Sequence, residues 1–354
     1  MQEIAHQIRA WLEDGRRVAV GRVVAIEGFS TWPGDEMLAV DEAGAIAGSI
    51  LGATGTAQVR SAAEDLLRSG EPTRTVTVEI HGKAVIEAGL SCGGQASVLL
   101  QPASAIPSAL WSALASRAPA ALVTAADGAQ SVVLAPSASG PRDATGTAGS
   151  PQAAGLPRPE GVERRVDPLL FAASVLAAGH SATRSLESDA GLVLVEAWVP
   201  PPRVVVVGSG DLVSALVAQS ALLGWDARTV EAADALAAAL DWAGATAALV
   251  VLSHDPHVDV PALRTGLDRQ VPYVGAMGSR STQSRRIERL TEAGVLPDSL
   301  GRIHRPIGLD LGGRSAPEIA LAICAEILAA RTGRDGGSLQ DRTGPIHDRV
   351  SSTS

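Results

Sequence analysis

This sequence has few cysteines, few aromatic residues and no long hydrophobic run. Two cysteines, Cys92 and Cys324, occur among 354 residues, too few for a disulfide framework or a cysteine-rich metal site. Aromatic residues make up 3% of the chain, which argues against a platform that stacks on nucleic-acid bases. The first residues contain no basic segment followed by an apolar one, and no apolar run approaches the roughly 20 residues of a membrane span. We therefore expect a cytoplasmic protein that does not contact membranes.

The charge balance is acidic rather than basic. The formal net charge is −9 at pH 7, so a broad nucleic-acid-binding surface is not expected, although a local basic patch remains open. Hydrophobic residues make up 46% and charged residues 19%, a balance typical of folded globular proteins rather than disordered ones. The length suggests about two domains, with more than enough residues to bury a core.

A strand, a glycine turn, a helix and a second strand follow one another in the second half of the chain. Four consecutive valines, Val204–Val207, predict a strand that is buried on both faces, as in a parallel sheet covered by helices. Gly208 and Gly210 come directly after it, and apolar residues then recur at helical spacing until Gly224. A second strand is predicted over Asp226–Val230.

This unit has the plan of a dinucleotide-binding fold. Glycines in the turn let the backbone approach a phosphate at the helix N-terminus, and Glu231 at the end of the second strand can bond a ribose hydroxyl. Val213 occupies the position of the third glycine of the fingerprint. The pattern therefore predicts the fold and leaves the ligand open.

Strands and helices continue to alternate up to residue 331. Such alternation predicts right-handed crossovers and a Rossmann-like, doubly wound parallel sheet. Ser315 and Glu318 have the spacing of a capping box at the start of the last helix. The further predicted elements are helices over 232–242, 260–269, 282–292 and 316–331, and strands over 247–252, 273–277 and 307–309.

The first part of the chain predicts a separate α+β domain. Its glycine-rich loop, Gly48–Gly55, precedes a helix and could hold an anion at the helix N-terminus through residues such as Gly52 and Thr54. The alternative is a tight turn that only lets the helix pack closely. The predicted elements are a helix over 1–15, strands over 18–26, 37–40, 45–50, 73–80 and 96–100, and a helix that ends near residue 70.

A change of composition separates the two predicted domains. Ala, Pro, Gly, Ser and Thr dominate between Ala135 and Pro159, which is typical of a flexible connection. Residues 183–199 return to β-strand character. We therefore divide the chain into an N-terminal domain over 1–134, a linker over 135–160, a segment over 161–200 that completes the N-terminal domain, a Rossmann-like domain over 201–332 and a tail over 333–354.

Polar residues and glycines gather where the predicted parallel strands end. In an open α/β sheet, ligands bind beyond the carboxyl ends of the strands. Five such turns on one edge predict a binding cleft. The residues are Gly208, Ser209, Gly210 and Asp211 after the first strand, Glu231 after the second, Ser253, His254 and Asp255 after the third, Gly278, Ser279 and Arg280 after the fourth, and Asp310 and Gly312 after the fifth.

Two groups within this edge have alternative interpretations. His254 and His257, with Asp255 and Asp259 nearby, are either an acid–base or metal pair or simply polar loop residues. A basic series begins at Arg280 in the Gly-Ser turn and can hold a phosphorylated anion. The alternative for that series is a solvated helix face paired with Glu288 and Glu292. Its members are Arg280, Arg285, Arg286 and Arg289.

The two cysteines differ in their surroundings. Cys92 lies beside Gly93 and Gly94, so it is either a reactive thiol in an accessible turn or a small packing residue. Cys324 lies on an apolar helix face with Ile323 and Ile327, which predicts a core position.

Several longer stretches give the chain a close resemblance to the XdhC/CoxI family, accessory proteins of xanthine dehydrogenases and related molybdenum hydroxylases. The motifs cover nearly the whole chain outside the Ala/Pro/Gly-rich connection. They read SHDPHVDVPAL over 253–263, YVGAMGSRSTQSRRIERL over 273–290, IHRPIGLDLGGRSAPEIALAICAEILAAR over 303–331, GSILGATG over 48–55, LSCGGQASVLLQP over 90–102 and GGSLQDRTGPIH over 336–347.

The resemblance implies an N-terminal XdhC/CoxI domain, a C-terminal Rossmann domain and a chaperone rather than an enzyme. Members of the family bind molybdenum cofactor (molybdopterin), support its sulfuration by a cysteine desulfurase and deliver it to the apoenzyme of a molybdenum hydroxylase. The cargo is an anionic, phosphate-bearing pterin dithiolene, which suits the anion sites described above. Cys92, Gly93, Gly52 and Thr54 are the cofactor-site residues that it implies in the first domain. We also expect a homodimer.

The chain departs from the family pattern at two positions. The first-domain loop usually reads Gly-Gly-Cys, where this chain has Ala53 and Thr54 after Gly52. The first Rossmann turn usually carries a histidine where this chain has Asp211. Two other functions stay open: an NAD(P)-dependent oxidoreductase with His254 as its acid–base group, and an interaction scaffold that binds no ligand.

Overall fold

The computed structural model describes residues 1–27, 36–81, 85, 93–125, 130–135, 167–188, 191–231 and 235–343. Three sheets organise them, in the strand orders β3-β2-β1-β5-β4, β7-β6-β9-β8 and β11-β10-β12-β13-β14, with the bounds given below. Among the helices of these residues, none combines the length and the apolar character that crossing a membrane requires.

The first sheet is antiparallel and is covered on both faces. Alternate residues of its central strand β1 point to opposite sides, so Val18 and Val20 join the core under α1 and α3, and Ala19 and Val23 join the core under α2. The elements are α1 (Gln2–Glu13), β1 (Val18–Glu27), β2 (Met37–Asp41), β3 (Ile46–Gly48), α2 (Gly52–Ser69), β4 (Arg74–Ile80), β5 (Gly94–Pro102) and α3 (Ser108–Ala115).

The second sheet is also antiparallel. The predicted return of β structure over 183–199 is confirmed, and these residues pair with β6 rather than with β1. Trp198 nevertheless contributes to the core of the first sheet, so the two sheets share apolar packing. The elements are β6 (Ala120–Ala125), β7 (Ser131–Leu134), α4 (Pro168–Ala177), β8 (Ala182–Ser188) and β9 (Gly191–Trp198).

The third sheet is parallel throughout, as predicted. Its strand β10 is buried on both faces: Val205 and Val207 meet the core under α6, α7 and α8, while Val204 and Val206 meet the core under α5 and α10. The elements are β10 (Arg203–Val207), α5 (Asp211–Leu222), β11 (Asp226–Val230), α6 (Leu236–Ala243), β12 (Ala247–Val251), α7 (Pro256–Asp268), β13 (Tyr273–Ala276), α8 (Arg280–Glu292), α9 (Pro297–Gly301), β14 (Ile303–His304) and α10 (Ala316–Arg331).

The predicted fifth strand over 307–309 is wrong, because β14 lies at Ile303–His304 instead. Ile307 still donates one backbone hydrogen bond to the carbonyl of Ala276, 3.1 Å away. Gly308 then adopts φ +100°, and its N–H binds the carboxylate of Glu326 at 2.7 Å. The chain therefore turns toward α10 and leaves the ladder.

Several helices differ from the prediction. Helix α7 begins at Pro256, four residues before the predicted start, because Asp255 caps it and proline suits its first turn. The helices α3, α4 and α9 were not predicted. The predicted domain boundaries stay predictions, and the connection over 136–166 lies outside the described residues.

A buried ion pair joins the first two sheets. The guanidinium of Arg22 on β1 binds the carboxylate of Glu196 on β9, and both side chains are 2% exposed. Arg22 also donates to the amide oxygen of Gln101 at 2.8 Å. Burying two charges costs free energy that their attraction only partly returns, so loss of one partner is more harmful than loss of both.

We expect Glu196→Leu to lower the free energy of unfolding by about 3–5 kcal/mol, because it leaves the Arg22 guanidinium buried without a carboxylate. The double variant Arg22→Met/Glu196→Leu should be markedly more stable than Glu196→Leu. Urea denaturation of the three proteins measures both effects. Arg60→Met is the control, since the Arg60–Glu64 pair is exposed and should be worth less than about 1 kcal/mol. A double variant no more stable than Glu196→Leu would contradict this account.

Candidate functional site

The turns at the carboxyl edge of the parallel sheet are aligned by the sheet itself. The backbone ladder continues one residue beyond three strands: Leu252 N–H bonds Val207 O at 2.8 Å and Met277 N–H bonds Val251 O at 2.8 Å. Gly208 N–H likewise bonds Val230 O at 3.1 Å. The predicted site residues after β10, β11, β12 and β13 therefore emerge side by side.

Glycine is required in the first of these turns. Gly208 has φ +135° and Gly210 has φ +97°, in the region that favours glycine. A Cβ atom on Gly208 would lie 3.2 Å from the backbone nitrogen of Ser253, whereas one on Gly210 would meet nothing within 4 Å. The backbone of Gly210 therefore faces open space at the start of α5.

Three of the helices that begin on this edge, α5, α7 and α8, differ in how their N-termini are capped. Asp255 accepts from His257 N–H at 2.9 Å and fills the start of α7 with its own carboxylate. Ser279 accepts from Thr282 N–H at 3.3 Å and caps α8 with a hydroxyl. Among the described residues, no side chain caps α5 at Gly210. An incoming anion therefore finds N–H groups without a side-chain cap at α5, next to the carboxylate of Asp211 in the first turn, and competes with a hydroxyl at α8.

Several predicted residues lie exposed around these N-termini. Arg280 is in the first turn of α8, and the described residues provide no partner for its side chain. Five more predicted residues are exposed. They are Ser209, Asp211 and Glu231 beside the turn before α5, and His254 and Asp255 after β12. An exposed edge with a free cation and an uncapped helix can hold an anion that remains accessible from solvent.

Arg286 has neither of the roles that the sequence suggested, because it is not a ligand candidate and does not lie on a solvated face. Its side chain is 4% exposed and binds the carboxylate of Asp259 at 2.5 Å. It also donates to Met277 O and to the amide oxygen of Gln283, each at 2.9 Å. Arg286 thus connects helix α8 to helix α7 through Asp259, and to the turn after β13 through Met277. Gln283, Arg286 and Leu290 are spaced i, i+3 and i+7, and this pattern could have indicated an inward face.

The histidine pair is split by the start of α7. His254 lies in the turn, but His257 is on the helix, contrary to the prediction that both lie in a loop. The described residues contain no group of three histidine, cysteine or carboxylate side chains placed to hold a metal ion. The predicted metal pair therefore has no third ligand within this part of the chain.

The loop after β14 brings Asp310 and Gly312 to the surface, where both are exposed. It ends at the predicted capping box, which is confirmed. The Glu318 carboxylate accepts from Ser315 N–H at 2.9 Å and from Arg314 N–H at 2.8 Å. These backbone hydrogen bonds hold the pKa of Glu318 below its usual value.

The first-domain candidates lie at the start of α2 and beside β5. Gly52 has φ +68° and, with Thr54, forms the first turn of α2, where both are partly exposed. Gly93 packs so closely on the carbonyl of Ile80 that a Cβ atom would lie 2.9 Å from that oxygen. Cys92 lies outside the described residues.

The two parts of the chain meet at the amino ends of the parallel strands. Arg331 binds the carbonyls of Gly179 and Pro200, and both Arg117 and Thr246 bind the carbonyl of Pro201. These contacts lie at the edge of the sheet opposite to the Gly208 turn. They do not involve the Gly48–Gly55 loop.

The parallel sheet with glycine turns at its carboxyl edge defines a Rossmann-type binding protein with an additional antiparallel α+β part. Residues 204–327 match the profile of the XdhC Rossmann domain, and residues 11–79 match that of the XdhC and CoxI family. Together the two matches cover more than half of the chain. The protein belongs to the XdhC/CoxI family.

Two proteins of Escherichia coli (strain K12) are similar to parts of the chain. The uncharacterized protein YqeB is 26% identical over 196 residues, which cover 50% of this chain and 36% of YqeB. The molybdenum cofactor insertion chaperone PaoD is 28% identical over 133 residues, which cover 37% of this chain and 41% of PaoD. The similar stretches thus span about two fifths of these relatives or less.

A solved structure described as a xanthine dehydrogenase from Bacillus halodurans superimposes with a TM-score of 0.47 at 17% identity. The superposition covers 96% of this chain and 98% of that one.

We expect Asp259→Ala to lower the free energy of unfolding by about 3–5 kcal/mol, because it leaves the buried guanidinium of Arg286 without a carboxylate partner. Asp259→Asn retains an oxygen acceptor and should cost less. Chemical denaturation compares both with Asp268→Ala, on the same helix, whose pair with Arg264 is exposed. Equal midpoints for Asp259→Ala and Asp268→Ala would show that the buried pair does not stabilise this edge.

Proposed function

We propose that this protein is an accessory factor that binds molybdenum cofactor, supports its sulfuration and delivers it to a xanthine dehydrogenase-type molybdenum hydroxylase. Membership of the XdhC/CoxI family and the similarity to a molybdenum cofactor insertion chaperone support this role. The observation that carries it is the exposed edge within residues 204–327, where the uncapped start of α5 and the side chain of Arg280 suit a phosphate-bearing cargo.

The phosphate of the cargo binds at the start of α5 and α8 in this proposal. Gly210 leaves the N–H groups of α5 without a side-chain cap, and a helix N-terminus carries roughly half a positive charge. Arg280 is exposed beside the hydroxyl-capped start of α8. A guanidinium can form two parallel hydrogen bonds to phosphate, which orients the ligand as well as attracting it.

The carboxylate of Glu231, near that site, determines which part of the cargo binds on its side. Glu231 is exposed and follows Val230, whose carbonyl binds Gly208 N–H. A carboxylate repels phosphate but accepts hydrogen bonds from N–H and O–H groups. We place the amino and ring N–H groups of the pterin, or the ribose of an attached nucleotide, on the side of Glu231.

The exposure of the site fits a carrier better than a catalyst. Ser209, Asp211, Glu231 and Arg280 are all exposed, so a bound cargo remains within reach of a partner. Enzymes usually enclose the reacting group to exclude water. We infer that the protein acts without turnover in the cytoplasm, as a homodimer, between a cysteine desulfurase and the apoenzyme of the hydroxylase.

The rival function is an NAD(P)-dependent oxidoreductase. In its favour are the Gly208–Gly210 turn and the position of Glu231 after β11. Against it, Val213 packs in the core where the fingerprint has its third glycine, and His254 is exposed. Oxidation of NADH or NADPH by the purified protein would favour the rival.

Arg280→Ala should weaken binding of molybdenum cofactor by about 1.5–3 kcal/mol, because it removes a charge-assisted contact to phosphate. Isothermal titration with isolated cofactor measures the affinity, and circular dichroism checks the fold. Arg289→Ala, at an exposed position near the other end of α8, is the matched control. Equal affinities for the wild type and Arg280→Ala would remove Arg280 from the site.

Cys92→Ser should abolish activation of the client hydroxylase while leaving thermal stability almost unchanged. Cys92 is the thiol proposed to meet the metal or accept sulfur, because burial raises the pKa of the Cys324 thiol to about 11 and keeps it protonated. The control is Cys324→Ala, whose side chain is 1% exposed. It should lower the melting temperature without abolishing activation at a permissive temperature. Full activation by Cys92→Ser would confine Cys92 to packing.

A further inference from the structure

A cavity of about 420 Å³ lies on the side of the parallel sheet opposite to the proposed cofactor site. It opens where the first part of the chain packs on the amino ends of β12 and β13. Its walls are largely apolar and include Pro119, Leu176, Val199, Pro202 and Ala330. Pockets that bind small organic ligands typically have a volume and an apolar lining of this kind.

Arg331, the last residue of α10, places a positive charge at this cavity. Its guanidinium donates to Gly179 O at 3.0 Å and to Pro200 O at 3.2 Å. Among the described residues, no carboxylate oxygen lies within 4.0 Å of the Arg331 guanidinium, the distance that defines an ion pair. These contacts use three of the five N–H groups that a guanidinium offers, so hydrogen bonds remain available for a ligand.

The protein neutralises the positive charge of Arg331 only in part. The C-terminal end of α10 contributes about half a negative charge, and carbonyl oxygens contribute only dipoles. Burial lowers the pKa of Arg331 accordingly. Arg331 is partly buried, and a charge partly removed from water is stabilised better by a carboxylate than by dipoles alone.

Glu326, the partner of the cavity-lining Tyr273, already has three hydrogen-bonding partners of its own. Tyr273 lines the cavity, and its hydroxyl donates to Glu326 at 2.6 Å. The same carboxylate accepts from Gly308 N–H at 2.7 Å and faces His304 Nδ1 at 3.2 Å. Glu326 therefore does not neutralise Arg331, and Tyr273 contributes an aromatic wall rather than a free hydroxyl.

We propose that this cavity binds a small monocarboxylic acid with a planar apolar ring, whose carboxylate pairs with Arg331. The flat proline, alanine and tyrosine surfaces match the ring, and the uncompensated guanidinium matches the acid. Because Arg331 also bonds Gly179 and Pro200, a bound acid contacts both parts of the chain at their junction. This site is independent of the proposed cofactor site and of its cargo.

The test is isothermal titration of the full chain with benzoate and 1-naphthoate, and with the neutral 1-naphthamide as the matched ligand. We expect saturable binding of one acid per chain, and at least about tenfold weaker binding of the amide, because a charge-assisted hydrogen bond is lost. Arg331→Gln should remove this preference for the acid. Arg9→Gln, an exposed change on α1, should retain it.

Ala330→Phe provides a second variant, because Arg331→Gln also removes contacts at the junction. Ala330 is exposed and lines the cavity, so a phenyl ring there should occupy the space without disturbing the core. We expect it to abolish binding of both acids while the melting temperature stays within about 2 °C of wild type. No saturable binding of either acid, equal affinity for acid and amide, or unchanged binding by Ala330→Phe would each show that the cavity is only a packing gap.

Discussion

The parallel ladder centred on β10 is the constraint on which the rest of the C-terminal half depends. Val204–Val207 pair in register with β11 on one side and β12 on the other, and their side chains enter two separate cores. A shift by one residue would exchange these faces. Since the register cannot change, the turns that follow the strands are held at a common level.

Buried ion pairs determine how neighbouring elements approach at two places. Arg286 and Asp259 connect α8 to α7 beneath the glycine turns, and Arg22 and Glu196 connect the first two sheets. In each pair, the two charged groups lose their contacts with water and bond to each other instead. Only an arrangement that keeps them in contact avoids leaving a buried charge unpaired, so each pair favours a single arrangement of the elements that it joins. The Arg286–Asp259 pair lies below the carboxyl edge, whereas Arg280 on the same helix is exposed.

The two edges of the parallel sheet differ in chemistry. At the carboxyl edge, glycines and helix N-termini present backbone N–H groups to solvent, which suits an exposed phosphate. At the amino edge, the first part of the chain packs against the strands and leaves a partly open apolar cavity with Arg331 at its wall. The proposed cofactor site and the proposed acid site therefore lie at opposite ends of the parallel strands.

Local patterns in the sequence determined the parallel sheet and the positions of its turns. The valine run, the glycines after it and the capping box of Ser315 and Glu318 depend on interactions within a few residues, so their pattern is visible along the chain. The family was likewise evident from contiguous motifs. The strand predicted at 307–309 was wrong because Gly308 bonds Glu326, 18 residues away, and a local pattern contains no such contact.

Tertiary structure alone decided which charged residues are buried and which edge the first part of the chain covers. Arg280 and Arg286 are both arginines of one helix, yet one is exposed and the other is paired with Asp259, 27 residues earlier. The contact of Arg331 with Gly179 spans 152 residues. Burial, pairing and cavities arise from the packing of distant segments, and the free energy of a charged side chain depends on those neighbours rather than on its place in the sequence.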